Sequence, residues 1–139
     1  MRMVSILCAA GLALAVLAAP ARAGVISSVV AFGDSLIDDG NTTLMPARPP
    51  QPPAPYAGGR YTNGPTPTEI LAARLGVPLH SYAIGGAQSG VGNIDVPAAD
   101  CSAGPSAFCT GVQSQLAQYL AGATVDPHAL YVVMGGSND

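Results

Sequence analysis

Val25-Ile26-Ser27-Ser28-Val29-Val30-Ala31-Phe32, followed at once by Gly33-Asp34-Ser35-Leu36, is the stretch on which the fold turns. Its β-branched and aromatic residues predict a buried strand over 25–32, and Gly33 ends it. Downstream, Leu79 to Ile84 predicts a second short strand stopped by Gly85-Gly86. Ala129-Leu130-Tyr131-Val132-Val133-Met134 predicts a third, followed by Gly135-Gly136-Ser137-Asn138-Asp139. Two helices fall between them. Thr66 is a good N-cap, Pro67 suits the first helical position, and Glu69 stands at the capping-box spacing. Ile70, Leu71, Ala73 and Leu75 supply an apolar face, and Gly76 with Pro78 stops that helix. Val112, Leu116, Ala117 and Leu120 repeat at helical spacing, and Ala121-Gly122 closes the second. Strands alternating with helices imply βαβ units and a parallel sheet, hence an α/β fold with about three parallel strands. No internal repeat is present.

The connections are long. Residues 34–46 have no apolar period. Pro49, Pro50, Pro52, Pro53 and Pro55 exclude a helix and predict an extended surface loop. Gly58 to Pro67 is turn-rich, and Gly90 to Gly111 is a long loop holding Cys101 and Cys109.

The first 23 residues read as an address. Arg2 supplies a positive start, Val4 to Ala19 is a nearly unbroken apolar run, and Pro20 breaks it. Ala21-Arg22-Ala23 is a small-x-small cleavage site, so Met1 to Ala23 is expected to be a secretory signal peptide. The run is shorter than the roughly 20 residues a membrane helix needs. Cys8 sits too early for a lipidated cysteine, and Ser5-Ile6-Leu7 lacks the small residue expected before one. Export to the periplasm, the cell surface or the medium follows. Such a compartment favours a Cys101–Cys109 disulfide, a bridge worth about 2–3 kcal/mol.

Composition narrows the function. The chain has 139 residues, 49% apolar and only 9% charged, which suits one domain with a core. All five basic residues are Arg, so a phosphate loop needing Gly-Lys-Ser/Thr is excluded. The net charge of −3 argues against nucleic-acid binding. Residues 24–139, the expected mature domain, keep only Arg48, Arg60 and Arg74 against eight acidic residues. Asp38, Asp39 and Asn41 glance at a calcium loop. Counting from Ser35 to place Gly40 sixth puts Ile37 third and Pro46 twelfth, neither an expected ligand, so no metal is expected. Gly85, Gly86, Gly90 and Gly92 do not form Gly-x-Gly-x-x-Gly, so no dinucleotide or other cofactor is implied. Ser35 lacks the second Gly of Gly-x-Ser-x-Gly, which disfavours the ordinary α/β-hydrolase elbow. Arg60 reads as a solvated or loop-pairing residue.

In open parallel sheets, ligands bind beyond the carboxyl ends of the strands. Gly33-Asp34-Ser35-Leu36, Gly85-Gly86-Ala87 and Gly136-Ser137-Asn138-Asp139 all lie there. They offer a hydroxyl, flexible backbone N–H donors and a side-chain amide, the parts of an acyl-transfer site.

At this point the chain resembles the GDSL lipase/esterases, also called SGNH hydrolases. Residues 32–41, Phe-Gly-Asp-Ser-Leu-Ile-Asp-Asp-Gly-Asn, look like that family's first block. Residues 59–65 are similar to its Gly-Arg-Phe-Ser-Asn-Gly-Pro stretch. Tyr82 to Ala87 looks like the second block, and Leu130 to Asp139 the third, with Gly-x-Asn-Asp at Gly136 to Asp139. The resemblance implies a three-layer α/β/α, flavodoxin-like fold and a serine ester hydrolase acting on small-molecule or lipid esters. It maps the nucleophile onto Ser35. Its oxyanion donors map onto the Ser35 N–H, the Gly86 N–H and the Asn138 amide, with Gly85 as the neighbouring candidate. Gly33, Asp34, Gly85, Gly136 and Asp139 support them.

Two departures stand beside the matches. The family often has Trp after Asn-Gly-Pro, where this chain has Thr66-Pro67, a change expected in the pocket wall. The Asp-x-x-His block that supplies the base is absent. His80 and His128 are the two histidines, neither has Asp three residues before it, and both fall at the amino ends of predicted strands. The chain therefore reads as the amino-terminal part of such a hydrolase, missing the carboxyl-terminal part of the domain. It is expected to be inactive and poorly soluble alone, with a strand left as an open edge. Different classes of function are a non-catalytic secreted module binding acyl or glycan groups, and a truncated product with none.

Overall fold

The computed structural model describes residues 24–45, 52–95, 101 and 109–139. The signal-peptide reading, part of the proline-rich run and much of the 90–111 loop lie outside them.

Three strands form one parallel sheet: β1 (Val29–Phe32), β2 (Leu79–Ser81) and β3 (Leu130–Val133), in the order β2-β1-β3. Helices α1 (Pro67–Leu75) and α2 (Val112–Gly122) connect them. The first connection leaves β1 for one side and the second returns past it to the other. Right-handed crossovers then place α1 and α2 on opposite faces, giving three layers. This is the α/β architecture the alternation of elements predicts.

All three strands are shorter than their apolar runs. Val25 is 88% exposed, because the sheet begins only where β1 gains neighbours on both sides. Val29 to Phe32 are all buried there. Past β2, Tyr82 and Ile84 still donate to the Ala31 and Gly33 carbonyls, at 2.8 and 3.0 Å, as the chain leaves the ladder. β3 is an edge: its residues alternate half-buried and exposed, and Val133 is 67% exposed. Within 34–46, Asn41–Leu44 forms one 3-10 turn that the apolar pattern did not announce. The Asp38 carboxylate drives it, accepting the N–H groups of Gly40 and Asn41.

One face of β1 packs Val30 and Phe32 against Tyr119 of α2, with Tyr82 and Val112 beside them. Phe32 stacks on Tyr82 at 5.4 Å and meets Tyr119 edge-on at 5.6 Å. The other face packs Ala31 against Ile37 and Ala83.

The helices form where predicted but turn differently. In α2 the buried residues are Gln115 and Tyr119, while Leu116 and Leu120 are exposed. In α1 they are Thr68 and Ala72, with Ile70 and Leu75 exposed. The aromatic cluster draws Tyr119 inward, and a hydrogen-bonding role draws Gln115 in with it.

The start of α1 follows its sequence signals. Thr66 N–H donates to Glu69 Oε2 at 2.8 Å, and Glu69 N–H donates to Thr66 Oγ1 at 3.4 Å. Gly76 ends the helix with φ +67°, a left-handed conformation that glycine adopts without strain. Arg60 pairs Glu69 through two bonds, Nε to Oε2 at 2.8 Å and Nη2 to Oε1 at 2.6 Å. Arg60 is thus a loop-pairing residue that ties the 57–64 loop to the helix. Thr66→Ala should cost about 1 kcal/mol, read as a lower urea midpoint at unchanged slope.

Hydrogen bonding from Arg60 holds the Glu69 carboxyl at about 2, against the opposing effect of partial burial. A lowered carboxyl stabilises the fold fully above the ordinary glutamate pKa, and that stability is lost as pH falls through about 2. The stability gap between the wild type and Glu69→Gln should therefore be wider at pH 5 than at pH 3. An equal gap at both would contradict this linkage.

Candidate active site

The strand order determines where the site lies. In a parallel sheet of this order, ligands are expected beyond the carboxyl ends of the strands, where the chain leaves β1, β2 and β3. Ser35 follows β1 by three residues, and Asn138 follows β3 by five.

Ser35 lies half-buried in a turn. Ile37 N–H donates to Asp34 O at 3.2 Å, and Leu36 N–H donates to Asp34 Oδ1 at 3.0 Å. Asp34 is fully buried and shapes this turn from inside. Its Oδ2 lacks a hydrogen-bond partner among the described residues. Gly33, just before, is held by the Gln115 carboxamide: its N–H donates to Oε1 at 2.7 Å and its carbonyl accepts from Nε2 at 2.8 Å.

The second turn runs from Ile84 to Ala87, whose N–H donates to Ile84 O at 3.1 Å. Gly85 N–H donates to Asp38 Oδ2 at 2.8 Å and to Thr42 Oγ1 at 2.7 Å. The Thr42 hydroxyl in turn donates to Asp38. Gly86 has φ +77°, and a Cβ there would lie 2.6 Å from Asn93 Oδ1. Glycine is required at this position by both conformation and space.

The segment after β3 is strapped onto the chain that follows this turn. Asn138 Nδ2 donates to Ala87 O at 2.9 Å, and Gln88 Nε2 donates to Asn138 O at 3.2 Å. Ser89 donates to Asp139 from its N–H, at 2.8 Å, and from its hydroxyl. These bonds hold the Asp139 carboxyl below the usual carboxylate range. Gly136 is the left-handed hinge of this segment, with φ +101°.

Ser35, Gly86 and Asn138 therefore all stand at the carboxyl end of the sheet, with Asn138 bonded to the residue after Gly86. The histidines do not. His80 pairs with Val30 in the middle of β2, not at its amino end as its sequence position suggested. The His128 carbonyl accepts the Ser27 N–H at 3.1 Å, level with the chain before β1. Val30 to Gly33 alone covers about 10 Å of strand. A general base needs contact at about 2.6–3.2 Å.

Cys101 and Cys109 are joined as a disulfide, with Cα atoms 5.6 Å apart. Among the described residues, no three His, Cys, Asp or Glu side chains are placed to hold a metal ion.

Sequence reading missed Asp38, Thr42, Asn93, Thr110 and Gln115, the buried polar residues behind the two turns. For Gln115 a signal existed: Val112, Gln115 and Tyr119 share one helical face. For Asp38 it was Asp-x-Gly-Asn, the composition of a side-chain-capped turn.

The family model described as GDSL-like lipase/acylhydrolase matches residues 29–139. The chain belongs to that family, whose members are lipase- or esterase-type hydrolases. A GDSL esterase/lipase of Arabidopsis thaliana is 38% identical over 64 residues, 40% of this chain. The matched stretch is 19% of that protein's length, so this chain spans only a small part of it.

Proposed function

We propose that this chain carries the nucleophile and oxyanion half of an exported serine ester hydrolase. Ser35 is the nucleophile. The Ser35 N–H, the Gly86 N–H and the Asn138 amide receive the negative charge of the tetrahedral intermediate. Each such donor contributes about 3–4 kcal/mol to the transition state. The observation that carries the reading is the bonding of the Gly85–Gly86 turn. Asp38 and Thr42 occupy the Gly85 N–H, which leaves Gly86 as the donor of that turn. Asn138 spends one amide hydrogen on Ala87 and keeps the other for substrate.

The base comes from chain or subunit outside these residues, in the role of Asp-x-x-His. Neither His80 nor His128 is placed to take the Ser35 proton. The Asp34 Oδ2, without a partner among the described residues, the open β3 edge and the exposed Leu116 and Leu120 support further structure around this half. Export rests on the signal-like residues 1–23, and the Cys101–Cys109 bridge fits an oxidising compartment. No helix among the described residues is long and apolar enough to cross a membrane.

The chain alone should give negligible turnover of p-nitrophenyl acetate, with Ser35→Ala indistinguishable from wild type. Turnover that disappears in Ser35→Ala would show that a base is already present. The reading frame beyond Asp139 tests the other half. If it encodes Asp-x-x-His, its complete product should be labelled at Ser35 by a fluorophosphonate. Absence of label there would remove Ser35 as the nucleophile.

A further inference from the structure

We propose that Gln115 is a positioning residue of the site, the interior strut that sets the Ser35 turn against the Gly86 turn. The role rests on the ester-hydrolase reading above for its catalytic meaning, though not for its geometry.

A helix packed on a sheet ordinarily faces it with apolar side chains. A carboxamide in that place costs free energy unless every polar atom is paired. Gln115 is 2% exposed, and both its amide hydrogens and one lone pair of its oxygen are used. Oε1 accepts the Gly33 N–H, while Nε2 donates to the Gly33 carbonyl and, at 2.8 Å, to the Thr110 carbonyl. The amide thus imitates a neighbouring strand at the point where β1 leaves the sheet, two residues before Ser35.

The network continues to the second turn. Asn93 Nδ2 donates to Thr110 Oγ1 at 2.8 Å and to Gly85 O at 2.9 Å. Gln115, Thr110 and Asn93 are all buried, so water does not substitute for these partners. One connected set of bonds therefore holds Gly33, which leads to the nucleophile, and Gly85, which leads to the oxyanion donor. Sub-ångström displacement of either turn weakens an oxyanion site.

The test is backbone amide exchange in the full 139-residue chain, comparing wild type with Gln115→Met and Gln115→Glu. Methionine fills the space without the polar atoms. Gly33 exchange should rise at least tenfold while Val30, in the middle of β1, keeps its protection. Glutamate supplies a pH signature that packing alone would not. Its carboxylate faces the Gly33 and Thr110 carbonyls, so its pKa rises above the ordinary glutamate value. The neutral acid accepts from Gly33 N–H and donates one proton, so protection returns at low pH and is lost as pH rises through the raised pKa. Unchanged Gly33 exchange in Gln115→Met overturns the proposal. So does equal acceleration at Gly33 and Val30, or a pH-independent Gln115→Glu. Loss of Gly33 protection as expected, with no fluorophosphonate capture at Ser35 in the complete product, would count against the ester-hydrolase reading and leave the strut standing.

Discussion

Asp38→Ala should destabilise the chain by about 3 kcal/mol or more, among the largest effects of any single polar substitution here. The Asp38 carboxylate is fully buried and accepts from four backbone N–H groups and one hydroxyl. Oδ1 takes Gly40 at 2.9 Å and Asn41 at 2.7 Å. Oδ2 takes Gly85 at 2.8 Å, Thr42 N–H at 3.3 Å and the Thr42 hydroxyl. Alanine would strand several of these donors without water. An unsatisfied buried donor costs roughly 1–3 kcal/mol, so even partial relaxation leaves a large loss. Asp38→Asn should lose less: its oxygen still serves Gly40 and Asn41, while its NH₂ opposes the Gly85 N–H. Urea unfolding of the three proteins checks the order. A loss below about 1 kcal/mol in Asp38→Ala would show that this network is dispensable.

Phe32→Ala should cost about 3–5 kcal/mol, which is a large part of the stability of a domain this size. Phe32 is 2% exposed at the end of β1, in contact with the rings of Tyr82 and Tyr119. Its removal leaves a cavity between the sheet and α2 and loosens Tyr119, whose hydroxyl meets that of Tyr131 at 2.9 Å. Leu36→Ala is the control, because Leu36 is 56% exposed and its loss should fall within about 0.5 kcal/mol of neutral. The two denaturation midpoints decide the matter. A Phe32→Ala protein as stable as Leu36→Ala would mean that the aromatic cluster is not the core.

Both predictions concern residues beside Ser35, and stability and site geometry are coupled there. Asp38 fixes the Gly85 N–H, the bond on which the proposal of Gly86 as donor rests. Phe32 anchors the strand from whose end Gly33, Asp34 and Ser35 project.

Much of this was legible in the residues themselves, because the signals are local. The Thr66-Pro67-Thr68-Glu69 cap and the Gly76 stop act within one helical turn, and α1 begins and ends at them. Composition predicted a buried strand over Val25 to Phe32, of which Val29 to Phe32 forms one, and Ser35 lies three residues beyond it. The parallel class follows from strands alternating with helices.

Tertiary structure decided what depends on partners far away in the chain. Strand order β2-β1-β3 sets the carboxyl ends of β1 and β3 side by side, with Ser35 and Asn138 beyond them, and no local pattern encodes it. The apolar spacing of α2 pointed to Leu116 and Leu120, yet Gln115 and Tyr119 face the sheet. Gln115 meets Gly33 across 82 residues of sequence, and that pairing exists only after the sheet has formed. The Gly85 N–H is likewise taken up by Asp38 and Thr42, more than forty residues away, and the proposal of Gly86 over Gly85 rests on that pairing. Short-range free energies shape helix ends and strands as the chain is read. Buried polar groups take partners only where the packed fold brings donors and acceptors together, so the polar interior behind the site was invisible until then.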